Sequence, residues 1–562
     1  MVKFDRNSLR RLITLARPFF VGDKRWQALG LLGLLLLFLI GIQVVNVRIN
    51  YVSRDFITAL ELRERGQFMR SLYYYLGCFA VITPIVVFYS YTQDRFVLLW
   101  RRWFSQRMIE RYFENHAYYR LGWHQGIDNP DQRIEEDVRT FTSMSLSLAL
   151  IVLQNIITFC AFIGILYSIS IYLPICAVGY AIFGSICSYF LGRPLIGLNY
   201  SQLKKEADYR YKLINVRDNS ESVAFYRGEK RERTRVRQRL KVVIQNMLDI
   251  INRNLLLNLF TTGYNNVKII LPTVIVAPLY LDGKIEFGVV TQAAGAFGFV
   301  LDALSIIVTN FATLSTYAAV VRRLGSFWEA LDESAPGALP TVTTEPIIQT
   351  EESNRIAFKK VSILTPLKDQ RLVQNLSFSV SGGGLLITGA SGSGKSSILR
   401  VLAGLWNWGE GSIERPPLSQ SMYLPQRPYM VMGTLRAQIL YGQQSGSHTD
   451  KQLLEIIDQV GLNDTLRRIG GLETTVDWSN FLSTGEQQRL AFARVALARP
   501  EFVFLDESTT ALDEGGEAQL YDLLVGFAKN WVTIGYRANL RRFHSFRLSL
   551  PGAGRWTFER LR

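Results

Sequence analysis

The clearest chemical signal in the chain is a glycine-rich stretch at residues 389–397, which reads GASGSGKSS. It follows the apolar run 385–387 and precedes a helical pattern that starts at Ile398. A strand, a glycine loop and a helix in this order predict a phosphate-binding P-loop, because glycines let bare backbone N–H groups approach phosphate oxygens. An ordinary Gly/Ser turn is the plain alternative. The predicted phosphate ligands are Gly389, Ala390, Ser391, Gly392, Ser393, Gly394, Lys395, Ser396 and Ser397.

Two of these side chains have specific expected roles. Lys395 is expected to reach the β- and γ-phosphates of a nucleotide, and Ser396 to hold Mg²⁺. An apolar run at 502–505 ends in two carboxylates, Asp506 and Glu507. A carboxylate at a strand end near a P-loop can support Mg²⁺, which is the role predicted for Asp506, and Glu507 is predicted to be the general base. The alternative is a buried strand with solvated carboxylates at its end.

A further Mg²⁺ ligand is predicted at Gln426, which follows the short run 423–425. In P-loop ATPases with this layout, such a glutamine meets both the metal and the attacking water. The LPQ sequence around it is weak evidence when taken alone.

A second anion site is predicted where Leu482–Arg489, reading LSTGEQQR, leads into a helix. Serine and glycine at a helix start offer N–H groups and a positive dipole end to an anion. One domain cannot apply both anion sites to the same γ-phosphate, whereas two domains packed head to tail can. The residues predicted to contact ATP from this second site are Ser483, Thr484, Gly485 and Glu486.

The elements before this region are strongly apolar. The chain has 562 residues, 48% of them hydrophobic, and a mean hydropathy of +0.11. Six runs reach the roughly 20 residues that a membrane-spanning helix needs. They lie at about 26–47, 71–91, 144–168, 171–191, 255–281 and 287–311. The sequence therefore predicts a membrane domain at 26–330, preceded by a cytosolic amphipathic segment at 1–25.

The distribution of basic residues predicts the orientation of these spans. Segments 1–25, 92–143 and 192–254 hold 7, 8 and 15 Lys+Arg residues, whereas 48–70, 169–170 and 282–286 hold 5, 0 and 1. By the positive-inside rule, both termini face the cytoplasm. The net charge of +16 is concentrated around these spans, so it indicates membrane topology rather than nucleic-acid binding.

The rest of the chain divides into helical extensions, a linker and a soluble domain. Helical periodicity continues through 92–120 and 204–253, so the membrane helices are expected to extend into the cytoplasm. The tip of the second extension is expected near 204–210. Residues 331–354 gather proline and threonine and are interpreted as a linker. Residues 355–562 are expected to form an α/β domain.

The order of these motifs resembles the ATPase domain of ABC transporters. The shared elements are the P-loop, the glutamine loop, LSTGEQQR, the two carboxylates and TALD at 510–513. Six spans before one such domain are similar to an exporter-type half-transporter. The resemblance implies ATP and Mg²⁺ as cofactors, a role for Asp513 at the ATP site, and a homodimer with two ATP sites at its interface.

A finer resemblance concerns subfamily D of the ABC transporters and the bacterial SbmA/BacA-related group. It rests on NPDQRI at 129–134, ESVAFYRGE at 221–229 and phrases such as LPQRPYM at 424–430. It implies that the first two motifs transmit motion between the membrane and ATPase domains. An ordinary salt-bridged helix face is the alternative for the second motif. The predicted coupling residues are Asn129, Pro130, Asp131, Gln132, Arg133, Glu221, Gly228 and Glu229.

The sequence departs from the family pattern at three positions. Thr484 stands where glycine is common. No aromatic residue lies near Leu364 and Thr365 to stack on adenine. Tyr536 replaces the histidine that contacts the γ-phosphate, and His544 does not align with it. Tyr536 is therefore predicted to act in catalysis as a neutral donor that supports slower hydrolysis.

These observations predict an ATPase coupled to solute movement across a bacterial inner membrane. The resemblance suggests a bulky solute such as a peptide or cobalamin, with lipid or acyl-CoA as the alternative. An ATP-binding sensor that transports little is the rival of another class, and Tyr536 motivates it. Expected partners are a second copy of the chain, membrane lipid and the solute, with no nucleic acid.

Overall fold

The structure is a computed structural model that describes residues 6–123, 129–305, 311–333, 347–365, 370–443 and 448–561. These residues form two compact units. One is helical and contains the described residues up to 117 and from 129 to 333. The other has mixed α/β structure and contains the described residues from 347 onward together with the short segment Tyr118–Trp123.

The first part of the chain is almost entirely helical. A single helical turn, α4 (Ala117–Arg120), overlaps the segment Tyr118–Trp123. A π-type turn at Arg133–Asp137 lies directly before helix α6. The other helices are α1 (Arg6–Val21), α2 (Arg25–Glu61), α3 (Arg65–Phe113), α5 (Pro130–Gln132), α6 (Val138–Ile169), α7 (Tyr172–Asp218), α8 (Ser220–Phe225), α9 (Glu229–Leu281), α10 (Phe287–Leu304) and α11 (Phe311–Glu333).

Six helices of the described residues are long and apolar enough to cross a membrane: α2, α3, α6, α7, α9 and α10. This confirms the six predicted spans, although the last one, 287–311, runs into residues that the structure does not describe. Helices α7 and α9 have 47 and 53 residues, far more than the roughly 20 that a bilayer requires. The expected extension of the helices beyond the spans is therefore present.

Helix α10 lies at the centre of the helical unit, packed on α2, α6, α7 and α9. Its buried face includes Ala293, Ala296 and Phe297, all fully enclosed. Small residues let helix backbones approach closely, which is how membrane helices associate. Gly288 shows the limit of this approach, since an added Cβ there would lie 2.2 Å from the carbonyl oxygen of Arg54.

The α/β unit contains two sheets. The four-stranded sheet has the order β1-β5-β2-β3, and the six-stranded sheet has the order β10-β9-β4-β8-β7-β6. The strands are β1 (Gln349–Glu352), β2 (Ile356–Leu364), β3 (Arg371–Val380), β4 (Gly383–Gly389), β5 (Gly409–Arg415), β6 (Ser421–Leu424), β7 (Phe502–Asp506), β8 (Asn530–Ile534), β9 (Phe546–Gly552) and β10 (Arg555–Arg560). The helices are α12 (Lys395–Leu402), α13 (Leu435–Ile439), α14 (Asp450–Gln459), α15 (Asn463–Ile469), α16 (Trp478–Phe481), α17 (Thr484–Ala498) and α18 (Glu514–Phe527).

Four neighbouring strands of the larger sheet, β4, β8, β7 and β6, run parallel. Ile387 pairs with Ile534, Asp506 pairs with the same Ile534, and Leu424 pairs with Leu505. In such sheets, ligands bind beyond the carboxyl ends of the strands. The segments that follow these four strands hold the P-loop, Tyr536, the two carboxylates and Gln426.

Two sequence-based boundaries differ from the structure. Strand β1 lies within the segment 331–354 that was interpreted as a linker, because Gln349–Glu352 pairs in register with β5. The ordered sheet thus begins before residue 355. The tip expected near 204–210 was also wrong, because α7 continues unbroken to Asp218 and the chain turns at 219–228. No glycine or proline interrupts 204–217, so nothing stops the helix there.

Candidate nucleotide-binding site

The P-loop connects β4 to α12 in the predicted manner. Gly389, Gly392 and Gly394 have φ values of 150°, 77° and 95°, a region that favours glycine. A Cβ at Gly389 would also lie 2.3 Å from the carbonyl oxygen of Leu550. The loop therefore depends on glycine both for backbone conformation and for space.

Two side chains of the loop, Lys395 and Ser393, have environments that bear on phosphate binding. Lys395 Nζ donates to the carbonyl oxygens of Gly389 at 3.0 Å and Ala390 at 2.8 Å, so the ammonium group lies over the loop. The hydroxyl of Ser393 is buried, and the residues described here offer it no hydrogen-bond partner. A buried hydroxyl of this kind at a helix N-terminus suits an anionic ligand.

Ser396 and Asp506 lie together at the carboxyl edge of the sheet. Ser396 Oγ donates to Asp506 Oδ1 at 3.0 Å, although 110 residues separate them in the sequence. Mg²⁺ is usually held by one or two protein oxygens together with substrate phosphates. These two oxygens fit that requirement. Among the residues that the structure describes, no cluster of three or more His, Cys, Asp or Glu side chains suits a metal ion.

Gln426 and Glu507 form a second pair beside the first. Gln426 Nε2 donates to Glu507 Oε2 at 3.1 Å. Glu507 has a positive φ of 49°, and its N–H donates to the carbonyl oxygen of Ile534 at 3.1 Å. A non-glycine residue in this region is strained, and such strain is often found at functional sites. The backbone turn directs this carboxylate to the same edge as the P-loop.

Helix α17 begins with a capping box. Ser483 Oγ accepts from the N–H of Glu486, and Glu486 Oε2 accepts from the N–H of Ser483 at 2.8 Å. Glu486 also accepts from Thr465 and from Arg468, each at 2.7 Å. Burial by itself would raise the pKa of Glu486, but these hydrogen bonds lower it to about 2. Both carboxylate oxygens are thus used within the chain, whereas Thr484 and Gly485 occupy the open first turn.

The segment that contains Asp513 is attached to this helix. Asp513 caps the N-terminus of α18 by accepting from the N–H of Gly516 at 3.2 Å. Gln488, on α17, accepts from the N–H of Ala511 at 3.1 Å. A Cβ on Gly485 would lie 3.3 Å from the carbonyl oxygen of Ala511. The predicted second anion site and the Asp513 segment therefore form one continuous surface.

Tyr536 and His544 have opposite environments. Tyr536 follows β8, next to the P-loop strand, and is 70% exposed. His544 is buried, with Nδ1 donating to the carbonyl oxygen of Leu540 at 2.7 Å and Nε2 accepting from Thr533 at 2.9 Å. Burial lowers the pKa of His544 to about 4. His544 is part of the core, in agreement with the prediction that it does not replace the family histidine.

Sequence reasoning missed the carboxylate of Glu517, which links two loops of this site. Its side chain is 2% exposed and accepts from Thr509 at 2.7 Å, Asn539 at 2.9 Å and Arg537 at 3.3 Å. Arg537 also donates to the carbonyl oxygen of Thr510 at 3.1 Å. One signal was available in the sequence. Glu517 has helical spacing with the buried positions 520, 521 and 524, so a charge lies on an apolar helix face.

The segment Tyr118–Trp123 was also missed. The hydroxyl of Tyr119 accepts from Trp406 Nε1 at 3.0 Å, and the ring packs against the core of the α/β unit. This contact joins residues that are 287 positions apart. Sequence periodicity carries no information about such a pairing.

The predicted coupling residues lie in two different environments. Asn129 has a φ of 45° and precedes the turn Pro130–Gln132, which includes Asp131. Arg133 is 4% exposed and donates to the carbonyl oxygen of Arg323 at 2.9 Å, so it is part of the helical unit's interior. The second motif borders the turn between α7 and α9, where Glu221 and Glu229 are exposed and Gly228 is half-buried.

Comparison with protein families identifies two regions of the chain. Residues 15–281 match the ABC transporter transmembrane region 2 model, and residues 373–510 match the ABC transporter model. These matches agree with the division into a helical and an α/β unit.

Curated relatives match over nearly the whole chain. An uncharacterised ABC transporter ATP-binding protein of Synechocystis is 42% identical, covering 95% of this chain and 82% of the relative. ABC transporter D family member 2 of Arabidopsis thaliana, a chloroplastic protein, is 35% identical, covering 98% and 87%. A lysosomal cobalamin transporter of Homo sapiens is 30% identical, covering 100% and 97%.

Among solved structures, a bacterial Atm1-family ABC exporter with ATP bound has a similar fold. The TM-score is 0.74 at 17% identity, over 95% of this chain and 96% of the exporter chain. At this level of identity the likeness concerns the fold alone.

Proposed function

Because the chain belongs to the ABC transporter family and is a half-transporter of the subfamily D type, we propose that it works as a homodimer that moves a bulky hydrophilic solute across a bacterial inner membrane. The family establishes a multi-pass membrane protein whose ATPase drives transport. The dimer, the membrane, a cytoplasmic location of both termini and the class of solute are parts of the proposal.

The observation that carries the proposal is the pair of contacts at the carboxyl edge of the sheet. Ser396 Oγ lies 3.0 Å from Asp506 Oδ1. Gln426 Nε2 lies 3.1 Å from Glu507 Oε2. Lys395 and the P-loop N–H groups would bind the phosphates, and Ser396, Asp506 and Gln426 would hold Mg²⁺. When bound, Mg²⁺ neutralises charge that develops on the phosphates. Glu507 would accept a proton from the attacking water.

The second anion site supports the proposed homodimer. The first turn of α17, with Ser483, Thr484 and Gly485, offers N–H groups to an anion, yet its own chain already has a P-loop for that purpose. Two copies packed head to tail would let this turn contact the γ-phosphate held by the other copy. Asp513, on the same surface, would lie at the interface. ATP binding would then close the dimer, and hydrolysis would open it.

Motion at the ATP sites has to reach the membrane helices. We assign this role to the turn at Asn129–Gln132 and to the turn that includes Glu221, Gly228 and Glu229. In this assignment Arg133 positions the first turn through its buried contact with α11. The segment Tyr118–Trp123, which belongs to the α/β unit, is a further element of the same path.

The solute is proposed to be a peptide or a cobalamin-like molecule. One relative is a lysosomal cobalamin transporter, and the spans carry polar side chains that would be costly against lipid. Lipid or acyl-CoA is the alternative, because much of the exposed surface of the spans is apolar. Uptake into vesicles of labelled cobalamin, peptide and acyl-CoA distinguishes these solutes.

An ATP-binding sensor is the second candidate function, favoured by Tyr536 in place of histidine. Hydrolysis by the purified protein without flux of any of the three solutes would support an uncoupled role. The absence of measurable turnover would support the sensor.

The ATPase assignment is tested by Glu507→Gln. The substitution keeps shape and removes the base, so ATP should still bind while phosphate release stops and the closed dimer accumulates. Glu501→Gln is the matched control, because Glu501 precedes the amino end of β7 and pairs with Lys529 on the surface. Phosphate release by Glu507→Gln at the rate of the control would show that Glu507 is not the base.

A further inference from the structure

Helix α1 carries an apolar strip on its exposed side. The strip consists of Leu9, Ile13, Ala16 and Phe20, which follow each other at steps of four, three and four residues and therefore lie in a narrow sector of the helix. Leu9 and Ile13 are 50% and 55% exposed, whereas Ala16 and Phe20 are half-buried. An open apolar strip on an otherwise polar helix surface is typical of a helix that lies against a membrane or another protein.

Two arginines border this strip. Arg10 and Arg17 are exposed and lie roughly 80° around the helix axis from the centre of the strip. Within the described ranges no ion pair involves either of them, whereas the neighbouring Arg11 pairs with Glu329. Helix α1 contains no acidic residue. The exposed side of α1 is therefore apolar along one edge and positively charged beside it, with Val21 on the charged side at the last position of the helix.

The side of α1 opposite the strip is attached to α11. Arg11 Nε and Nη2 donate to the two carboxylate oxygens of Glu329 at 2.9 and 2.7 Å. Gly325 makes room for the arginine stem, since an added Cβ there would lie 2.5 Å from Arg11 Cδ. Arg11 lies roughly 170° around the helix from the centre of the strip. The direction of α11 at this point therefore decides which way the strip faces.

Helix α11 runs away from the membrane spans along the segment that precedes α6. The hydroxyls of Tyr317 and Ser145 lie 2.6 Å apart, and Ser145 is at the start of the span predicted at 144–168. Six residues further along α11, Arg323 donates to Asp137 at 3.0 Å, outside that span. Glu329 lies another six residues along the same helix. Because α1 is fixed to α11 at this outer point, its apolar strip faces toward the membrane.

The other end of α1 lies close to the border of the spans. The ring of Phe19 stacks on Trp100 of α3 with centroids 5.3 Å apart, and Trp100 follows the span predicted at 71–91 by nine residues. Helix α2, the first span, begins at Arg25, four residues after α1 ends. Trp26 is 74% exposed there, with the Arg25 guanidinium 5.5 Å from its ring centroid. Exposed tryptophan at a helix end is typical of the interface between membrane and water.

We propose that the exposed side of α1 binds anionic phospholipids, with the apolar strip in the edge of the hydrocarbon and Arg10 and Arg17 on lipid phosphate groups. Amphipathic helices with basic residues beside an apolar face lie in the membrane interface, and their basic residues attract anionic lipid. A guanidinium group can hold a phosphate through two N–H bonds. Lipid fits this surface better than an acidic protein because the strip faces the membrane and the chain continues directly into a span. The proposal goes beyond solute transport and does not depend on which solute is carried.

The test uses the full-length protein in phosphatidylcholine vesicles. A polarity-sensitive fluorophore is attached at Ile13→Cys in a background in which the native cysteines are replaced by serine: Cys78, Cys160, Cys176 and Cys187. Thr14→Cys is the matched label position, because Thr14 is exposed but lies roughly 130° around the helix from the centre of the strip. Quenching is measured with small amounts of nitroxide-bearing phosphatidylglycerol, which is anionic, or phosphatidylcholine, which is zwitterionic.

The label at position 13 should have blue-shifted emission and be quenched by both lipids, more strongly by phosphatidylglycerol, whereas the label at position 14 should remain in water. Arg10→Gln combined with Arg17→Gln should lower the preference for phosphatidylglycerol by roughly fivefold for each arginine removed. Substituting both by lysine should preserve most of the preference. At about 1 M salt, where the Debye length is about 3 Å, the parent should lose its preference as well.

The control for net charge is Arg467→Gln combined with Lys529→Gln. These side chains are 80% and 76% exposed on the α/β unit, and removing them should leave the lipid preference unchanged. An equal loss in this control would show that only the overall charge of the protein matters. ATP hydrolysis in vesicles of phosphatidylcholine alone should equal that of the parent in every variant, which shows that each one is folded.

Three results would overturn the lipid site. Labels at positions 13 and 14 that are equally exposed to water would show that the strip does not face the membrane. A label at position 13 that is shielded from water but not quenched by either lipid would show that protein covers the strip, either a second copy or another chain. Equal quenching by the two lipids in the parent would show that Arg10 and Arg17 do not select anionic lipid.

Discussion

Replacing Arg537 with methionine would leave the carboxylate of Glu517 buried without its cation. The carboxylate is 2% exposed and the arginine side chain 23% exposed. Breaking a buried ion pair by removing one partner typically costs about 3–5 kcal/mol. Because Arg537 is partly solvated and its contact with Glu517 is 3.3 Å long, we expect the lower end, about 3 kcal/mol. The two other donors to Glu517, Thr509 and Asn539, remain in place and do not supply a positive charge.

The measurement is thermal unfolding of the α/β unit in the purified transporter, followed by tryptophan fluorescence. For a unit of about 200 residues, 1 kcal/mol corresponds to about 2–4 °C, so Arg537→Met should lower the melting temperature by roughly 6–12 °C. Lys529→Met is the control, since Lys529 is 76% exposed in its pair with Glu501 and such surface pairs contribute about 0–1 kcal/mol.

A double-mutant cycle separates charge burial from lost packing. Adding Glu517→Gln to Arg537→Met removes the unpaired charge, so the double variant should recover part of the loss. If Arg537→Met has the same melting temperature as the Lys529→Met control, or if adding Glu517→Gln lowers the melting temperature further, the ion pair does not stabilise the unit as argued. Because Glu517 joins the segments around Thr509 and Asn539, the same variants should also slow phosphate release.

Three further predictions concern the site and the core. Lys395→Ala should weaken ATP binding itself, because a charge-assisted phosphate contact is lost, and unchanged affinity in a direct titration would contradict the P-loop assignment. Tyr536→His should raise the maximal ATPase rate and Tyr536→Phe should lower it, with little change in ATP affinity. Each change in rate should stay within a factor of roughly 10²–10³, which is the contribution of a preorganised hydrogen-bond donor. Equal rates would place Tyr536 outside the reaction. Burial lowers the pKa of His544 in the folded protein to about 4, whereas the same side chain has a pKa of about 6.5 in the unfolded chain. Between pH 6.5 and pH 4 the unfolded chain therefore binds a proton at this residue and the folded chain does not. Stability should therefore fall as the pH falls from 6.5 toward 4, by about 2 kcal/mol at pH 5, and His544→Gln should abolish this dependence in melting curves taken at pH 5 and pH 7.

The features that are set by residues close together in the chain could be predicted from the sequence. The P-loop needs glycine at Gly389, Gly392 and Gly394 for backbone reasons that act within a few residues, and the structure has the positive φ values that this implies. The six spans were predictable because the length of an apolar run measures its ability to cross hydrocarbon. Both features arise from neighbours in the sequence, and both identify the family.

Positions where the chain turns were less predictable. The tip of the second helical extension was expected near 204–210 but lies at 219–228, because helical periodicity continues through basic residues without a breaker. The strand Gln349–Glu352 resembles a linker in composition, and only its pairing with β5 makes it a strand. Exposed, polar edge strands carry little signal because their stability comes from the partner strand.

The sequence by itself determined the membrane spans, the P-loop and the family, since these follow from composition and short-range spacing. Only the tertiary structure decided which distant residues meet. Ser396 and Asp506 are 110 residues apart in the chain. They meet because β4, which precedes the P-loop, and β7, which ends at Asp506, are parallel strands that end at the same edge of the sheet. Glu517 becomes the partner of Arg537 because packing places the Glu517 carboxylate, which is 2% exposed, where water is scarce. A buried or intramembrane charge has to find an opposite charge nearby, but the fold chooses which one.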